Sequence, residues 1–154
     1  EYMRVNHTGE ICAQGLYRGQ LFFNKNNEIK EELEKAAEEE IDHLVWCDER
    51  IQELDGKTSK LNPIFYSGSF LLGALTSIVD ERYNLGFLAE TEKQVTNHLS
   101  NHLKQIDKSD KKTIKIIETM KDDEEEHANS ALKMGAKNLP RPIKKFMMYV
   151  KKMK

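Results

Sequence analysis
Apolar residues recur at steps of three and four along most of this chain, the spacing that gathers side chains on one face of an α-helix. One run reads Leu33, Ala36, Glu40, His43, Cys47, Ile51, Leu54. Another reads Leu85, Leu88, Glu92, Val95, Leu99, His102, Ile106, and a third reads Ile117, Met120, Glu124, His127, Ala131, Met134. Cap and turn residues then divide the chain into six predicted helices. The first covers about 8–24, with Asn6 or Thr8 as its cap, and the second about 27–54, stopped by Asp55-Gly56. A polar linker leads to Pro63, which opens a third helix reaching Val79. The fourth covers about 80–106, and the fifth runs from Lys108-Ser109-Asp110 to near Gly135. After a break at 138–142 a short final helix closes the chain. Gly9, Ala13, Gly15 and Gly19 would weaken the first helix in isolation, so they predict close approach of a neighbour. The fold class is therefore all-α: a four-helix bundle in one domain over 1–154, with a short apolar helix between the two helix pairs and an amphipathic helix at the end.

Within these stripes Glu40, Glu92 and Glu124 occupy places where the pattern requires an apolar residue. An ionised carboxylate buried alone costs several kcal/mol, so each must be neutralised, paired or bound to metal. Two of the three belong to Glu-x-x-His pairs, Glu40 with His43 and Glu124 with His127, one helical turn apart on one face. Each pair follows a lone glutamate: Glu10 lies 30 residues before Glu40, and Glu92 lies 32 before Glu124. A helix pair built twice, with this ligand set, is the arrangement by which ferritin-like bundles hold two iron or manganese ions. Oxygen ligands with one imidazole per metal suit those ions better than copper or zinc. The predicted metal ligands are Glu10, Glu40, His43, Glu92, Glu124 and His127. Glu38, Glu39, Glu90, Glu125 and Glu126 fall off the stripes and are expected outside the site. Asp42 and Asp123, beside the ligands, either orient the imidazoles or are solvated helix charges. A buried Glu–His pair without metal would account for either helix alone, and less well for both with two more carboxylates in register.

Composition adds exclusions. Charged residues make up 32% and nearly cancel, at net −2, which argues against nucleic acid as a partner. Cys12 and Cys47 form no CxxC and lie near the proposed ligands, as reduced core thiols would. The residues from Glu1 carry no secretory-signal pattern. Residues 64–79 contain no charge, yet 16 residues fall short of the ~20 a bilayer-spanning helix needs. That segment is either buried or dips into a membrane surface. Between 136 and 154 stand seven basic residues and no acidic one, interleaved with Ile143, Phe146, Met147, Val150 and Met153. Such a helix can lie in an anionic lipid surface, or pack on the bundle with a solvated lysine face.

The opening Arg4-Val5-Asn6-His7-Thr8-Gly9-Glu10, with Ile11-Cys12-Ala13 and Tyr17-Arg18-Gly19-Gln20, resembles the RVDHAGE…YAGQ start of the demethoxyubiquinone hydroxylases. Glu40-Ile41-Asp42-His43-Leu44, Phe70-Leu71-Leu72-Gly73-Ala74-Leu75-Thr76, Glu92 with His98, and Asp123-Glu124-Glu125-Glu126-His127 resemble that family's remaining motifs, so the likeness spans Arg4 to Tyr149. It departs at Asn6, where the family has Asp; at Asn97-His98-Leu99, where it has His-His-Tyr; and at Lys145, where it has Arg.

The resemblance implies a di-iron monooxygenase that puts one atom of O2 into the ring of a demethoxyubiquinone during ubiquinone biosynthesis. It implies two iron ions on the six ligands named above and NADH as electron source. A proton or electron relay would involve His98 and Tyr149. It further implies a prenylated quinone substrate and peripheral membrane contact through about 63–79 and 140–154. The location would be the cytoplasmic face of a bacterial inner membrane, or the matrix face of the mitochondrial one in a eukaryote. Other ubiquinone-biosynthesis proteins are expected partners, and homo-oligomerisation stays open. Two further classes remain: a rubrerythrin-like or ferritin-like peroxidase or iron-handling protein, and a helical membrane adaptor whose Glu–His pairs are structural. The lack of CxxC removes a rubredoxin-type module from the first.

Overall fold
The computed structural model describes residues 1–152, with side chains to residue 148. All regular structure among them is helical: α1 (Tyr2–Phe23), α2 (Asn27–Glu53), α3 (Asn62–Val79), α4 (Glu81–Gln105), α5 (Lys111–Lys133) and α6 (Arg141–Lys152). Helices α1, α2, α4 and α5 build the bundle, α3 lies along α1, and α6 rests on α4.

Three helix starts are fixed by side-chain caps that satisfy otherwise orphaned amides. Asn26 accepts from the backbone N–H groups of Glu28 and Ile29, Asp80 from those of Arg82 and Tyr83, and Asp110 from that of Thr113. The first helix departs from expectation. It begins at Tyr2, so Asn6 and Thr8 are buried within α1 and neither caps it. Their neighbours explain the difference. The Thr8 hydroxyl donates to Asn62 Oδ1 at 3.2 Å, and the Asn62 amide meets His7 Nδ1 at 3.3 Å. The Thr8 hydroxyl that a local reading assigns to a cap is thus used on α3, 54 positions away.

The neighbour that the small residues of α1 admit is α3. A methyl group at Gly19 would collide with the Phe70 carbonyl, and one at Gly73 with the Leu16 carbonyl. Buried Gln20 reinforces the crossing. It donates to the Asn84 carbonyl at 3.0 Å and side-chain oxygen at 2.8 Å, and the Thr76 hydroxyl donates to the same oxygen at 3.2 Å.

Of α3 only Gly73 and Ala74 are buried. Ile64, Leu71, Leu75, Ile78 and Val79 are exposed, so this is not a core helix. It is long and apolar enough to cross a membrane by length and composition. Its 18 residues reach about 27 Å, close to the ~30 Å of a hydrocarbon core. Helix α6 is tied down by a 2.9 Å ion pair from Lys144 to Glu90. Met147 packs against the Leu16, Phe87 and Leu139 cluster, while Ile143, Phe146 and Met148 are exposed. Tyr149, Val150 and Met153 have side chains outside the described residues.

The bundle core falls into two apolar clusters. Tyr17, Leu33, Leu85, Leu88 and Ala131 belong to one, and Cys47, Ile51, Leu99, Ile117 and Met120 to the other. Along α2, α4 and α5 the proposed ligands fall between these two sets, so apolar packing closes the site from both ends of the bundle. Both cysteines are free thiols. Cys47 is a core thiol, 3.9 Å from Met120 Sδ, and burial pushes its pKa up to about 12. Cys12 departs from the core assignment: it is half-buried and lines a cavity described below.

Candidate metal centre
All six predicted ligands are brought together, each 5% exposed or less. They form two groups whose ligand atoms lie within 4.8 Å of one another: Glu10, Glu40, His43 and Glu124, and Glu40, Glu92, Glu124 and His127. Glu40 and Glu124 belong to both, the placement required of carboxylates that bridge two ions. His43 Nδ1 lies 3.2 Å from Glu40 Oε2, 3.6 Å from Glu124 Oε1 and 4.0 Å from Glu10 Oε2. His127 Nδ1 lies 3.5 Å from Glu124 Oε2 and 3.6 Å from Glu40 Oε1. Both imidazoles therefore face inward through Nδ1.

Their outward nitrogens are held by carboxylates of the opposite helix. Nε2 of His43, on α2, is 3.0 Å from Asp123 of α5. Nε2 of His127, on α5, is 2.6 Å from Glu39 of α2. A carboxylate on the outer nitrogen fixes ring orientation and raises ligand basicity, the usual support for metal-binding histidine. Asp123 thus takes the orienting position. Asp42 does not, being exposed, and Glu39, expected outside the site, fills the equivalent place. Glu39 and Asp123 each immediately precede a ligand glutamate, a signal available in the repeat. Which imidazole each would reach depends on how α2 and α5 face one another, which stripe analysis of single helices does not include. Tyr17 was also missed: fully buried, it donates its hydroxyl to Glu92 in a very short hydrogen bond. It stands seven residues, two turns, after Glu10.

The electrostatics favour a cation here. Burial first, then repulsion by Glu40, drives the Glu10 carboxyl well above its usual range; burial and Glu124 do the same to Glu92. Burial opposes ionisation of Glu40 too, but hydrogen bonds from Glu10, His127 and His43 overcome it and hold its pKa low. Burial would discharge the imidazoles, yet bonds to Glu124 and Glu40 outweigh it and raise His43 to about 10 and His127 to about 12. Protons thus occupy the places where positive charge is needed. Glu92 Oε2 is buried without a hydrogen-bond partner among the described residues, and Glu40 Oε1, Glu124 Oε2 and His127 Nδ1 meet only at 3.5 and 3.6 Å, too far for full hydrogen bonds. Oxygen and imidazole donors left unsatisfied at one interior point fit hard, divalent metal.

A cavity of about 600 Å³ opens beside the cluster between α1, α3, α4 and α6. Glu10 and His98 line it, with mainly apolar side chains such as Leu16, Phe87, Leu99 and Phe146. The His98 and His102 rings lie 3.9 Å apart between centroids. Tyr149, expected in a relay, has its side chain outside the described residues. His7 is buried, its pKa lowered by desolvation, and it serves the α1–α3 contact.

Comparison with known proteins agrees with this geometry. A "3-demethoxyubiquinol 3-hydroxylase" of Legionella pneumophila (strain Corby) is 53% identical over 151 residues, covering 98% of this chain and 71% of that protein. Proteins of the same name from Pseudomonas fluorescens (strain Pf0-1) and Azoarcus sp. (strain BH72) are 51% and 49% identical over 142 and 145 residues. These alignments cover 92% and 94% of this chain, and 66% and 70% of the relatives. The family described as ubiquinone biosynthesis protein COQ7 matches residues 1–153, and the chain belongs to that family.

Proposed function
We propose that this chain is a di-iron monooxygenase that hydroxylates the ring of a demethoxyubiquinol. The observation that carries this reading is the juxtaposition of two ligand groups sharing Glu40 and Glu124 with an apolar cavity that reaches Glu10. Glu10, Glu40, His43 and Glu124 would hold one iron; Glu40, Glu92, Glu124 and His127 would hold the other. When bound, two ferrous ions supply two electrons to O2 together, without a one-electron superoxide step. The ring gains one oxygen atom, the second leaves as water, and two electrons from NADH balance the turnover.

The protein's own residues define the rest. Carboxylate oxygens of Glu10 can change partners as charge changes, whereas Tyr17 holds Glu92 by its hydroxyl. Asp123 and Glu39 keep the imidazoles facing inward. The apolar cavity excludes water and accepts a ring with a hydrocarbon tail. His98 lines its wall and would pass a proton toward the cluster.

The same reading gives the protein a peripheral membrane position. Exposed Leu71, Leu75, Ile78 and Val79 of α3 and Phe146 of α6 offer apolar surface beside the cavity, with exposed Lys145 next to Phe146. A prenylated quinone could then enter from lipid. The relatives' names and the apolar cavity do not favour the rubrerythrin-like alternative.

The direct test is mass spectrometry of the quinone after incubating iron-loaded protein with a demethoxyubiquinone, NADH and isotopically labelled O2. A product heavier by one labelled oxygen supports the proposal. Iron binding and NADH consumption without hydroxylated quinone would refute the substrate assignment.

A further inference from the structure
We propose that Asn6 positions the substrate ring, its side-chain amide hydrogen-bonding a ring oxygen; this rests on the quinone-hydroxylase reading above. Asn6 is 2% exposed, and both polar atoms of its side chain are buried without a hydrogen-bond partner among the described residues. Its neighbours on α1 behave differently. Thr8 and His7 bond Asn62, Gln14 donates to the Ala37 carbonyl at 2.6 Å, and Gln20 donates to Asn84. A buried amide left wholly unsatisfied is costly and uncommon, and is expected where a ligand completes the bonding.

The location identifies the ligand. Asn6 lines the 600 Å³ cavity one helical turn before Glu10, so its amide and the nearest proposed iron ligand share one face of α1. Three other polar side chains on that wall are already used. Thr76 bonds Asn84, Thr91 donates to the Phe87 carbonyl at 2.9 Å, and Gln94 donates to Glu90 at 2.8 Å. A hydrocarbon tail offers an amide nothing. A quinone carbonyl accepts its N–H, and a quinol hydroxyl can also donate to its oxygen, so one neutral side chain holds the ring in both oxidation states. Being uncharged, it adds no further negative charge beside four buried carboxylates.

The test is a cycle between residue and ligand. Equilibrium binding to the iron-loaded protein in detergent is measured for a short-tailed demethoxyubiquinone and for the same prenylated arene lacking ring oxygens. Wild-type protein is compared with Asn6→Leu and Asn6→Ala. The proposal expects Asn6→Leu to weaken the oxygenated ring about tenfold, with KM rising in step, while the arene binds unchanged. The ligand-free Leu variant should also melt at a higher temperature, because it no longer buries an unsatisfied amide. An equal loss of both ligands in both variants, accompanied by a lower melting temperature, would make Asn6 a structural residue and overturn the proposal. Unchanged affinity for the oxygenated ring would overturn it as well. If wild-type protein binds neither ligand and hydroxylates no quinone, the functional reading itself fails, and the role of Asn6 with it.

Discussion
In the half of the cluster carried by α2, His43 turns its outer nitrogen to Asp123; in the half carried by α5, His127 turns its outer nitrogen to Glu39. These supports are exchanged between helices, each from the residue just before a ligand glutamate. The outer glutamates do not match. Glu92 accepts the hydroxyl of Tyr17, seven residues after Glu10, and is locked from the side. The position seven residues after Glu92 is Leu99, and Glu10 itself lines the cavity. Duplicated helices thus give a paired interior in which one outer ligand is clamped and the other faces the space a substrate would fill. The asymmetry assigns direction to an otherwise two-fold site.

Removing a shared carboxylate tests the paired interior most severely. Glu40→Ala or Glu124→Ala disrupts both ligand groups, and hydroxylated product should fall at least ~1000-fold in a quinone assay. Protons offer a second test. Below pH 6.5 the cationic imidazoles stabilise the metal-free fold in full, because their folded pKa values are raised. That contribution is lost as pH rises through about 10 for His43 and about 12 for His127. Glu10 and Glu92, also raised, add a penalty that grows above the ordinary glutamate range. Chelator-treated protein should therefore melt at lower temperature as pH rises from 6 to 9. Metal must displace both imidazolium protons, so its affinity should climb, by up to about a hundredfold per pH unit. A flat melting profile would contradict this charge assignment.

The exchanged supports should prove equivalent. Asp123→Asn and Glu39→Gln should each cost about 10- to 100-fold in metal affinity, read by competition with a chelating dye. A loss confined to one of them would break the symmetry. The smallest effect is expected at the clamp. Tyr17→Phe removes one hydrogen bond to a ligand and should reduce turnover several-fold while leaving iron content unchanged.

The buried carboxylates Glu40, Glu92 and Glu124 are legible in the sequence because each interrupts an apolar stripe, a contrast that survives without knowledge of any neighbour, whereas Glu10 is legible only from its spacing to Glu40. Helix starts at Asn26, Asp80 and Asp110 were readable for the same reason, since a cap is a contact within three residues. What failed depends on contacts between elements. Thr8 resembles a cap residue until α3 is laid beside it, and Glu39 resembles a solvated charge until α5 supplies His127. Cys12 resembles a core thiol until α6 and α3 leave a cavity beside it. The apolar run 64–79 was left between core and lipid, because composition alone does not tell which side of a helix is covered.

The most direct measurement is iron bound per chain in wild-type protein, Glu10→Ala, Glu92→Ala and Glu40→Ala, with spin coupling followed spectroscopically. A coupled pair held by two shared carboxylates predicts about two irons in wild type, about one in either outer variant, and loss of coupling with Glu40→Ala. A single uncoupled iron in wild-type protein, or an unaltered pair in Glu40→Ala, would contradict the account.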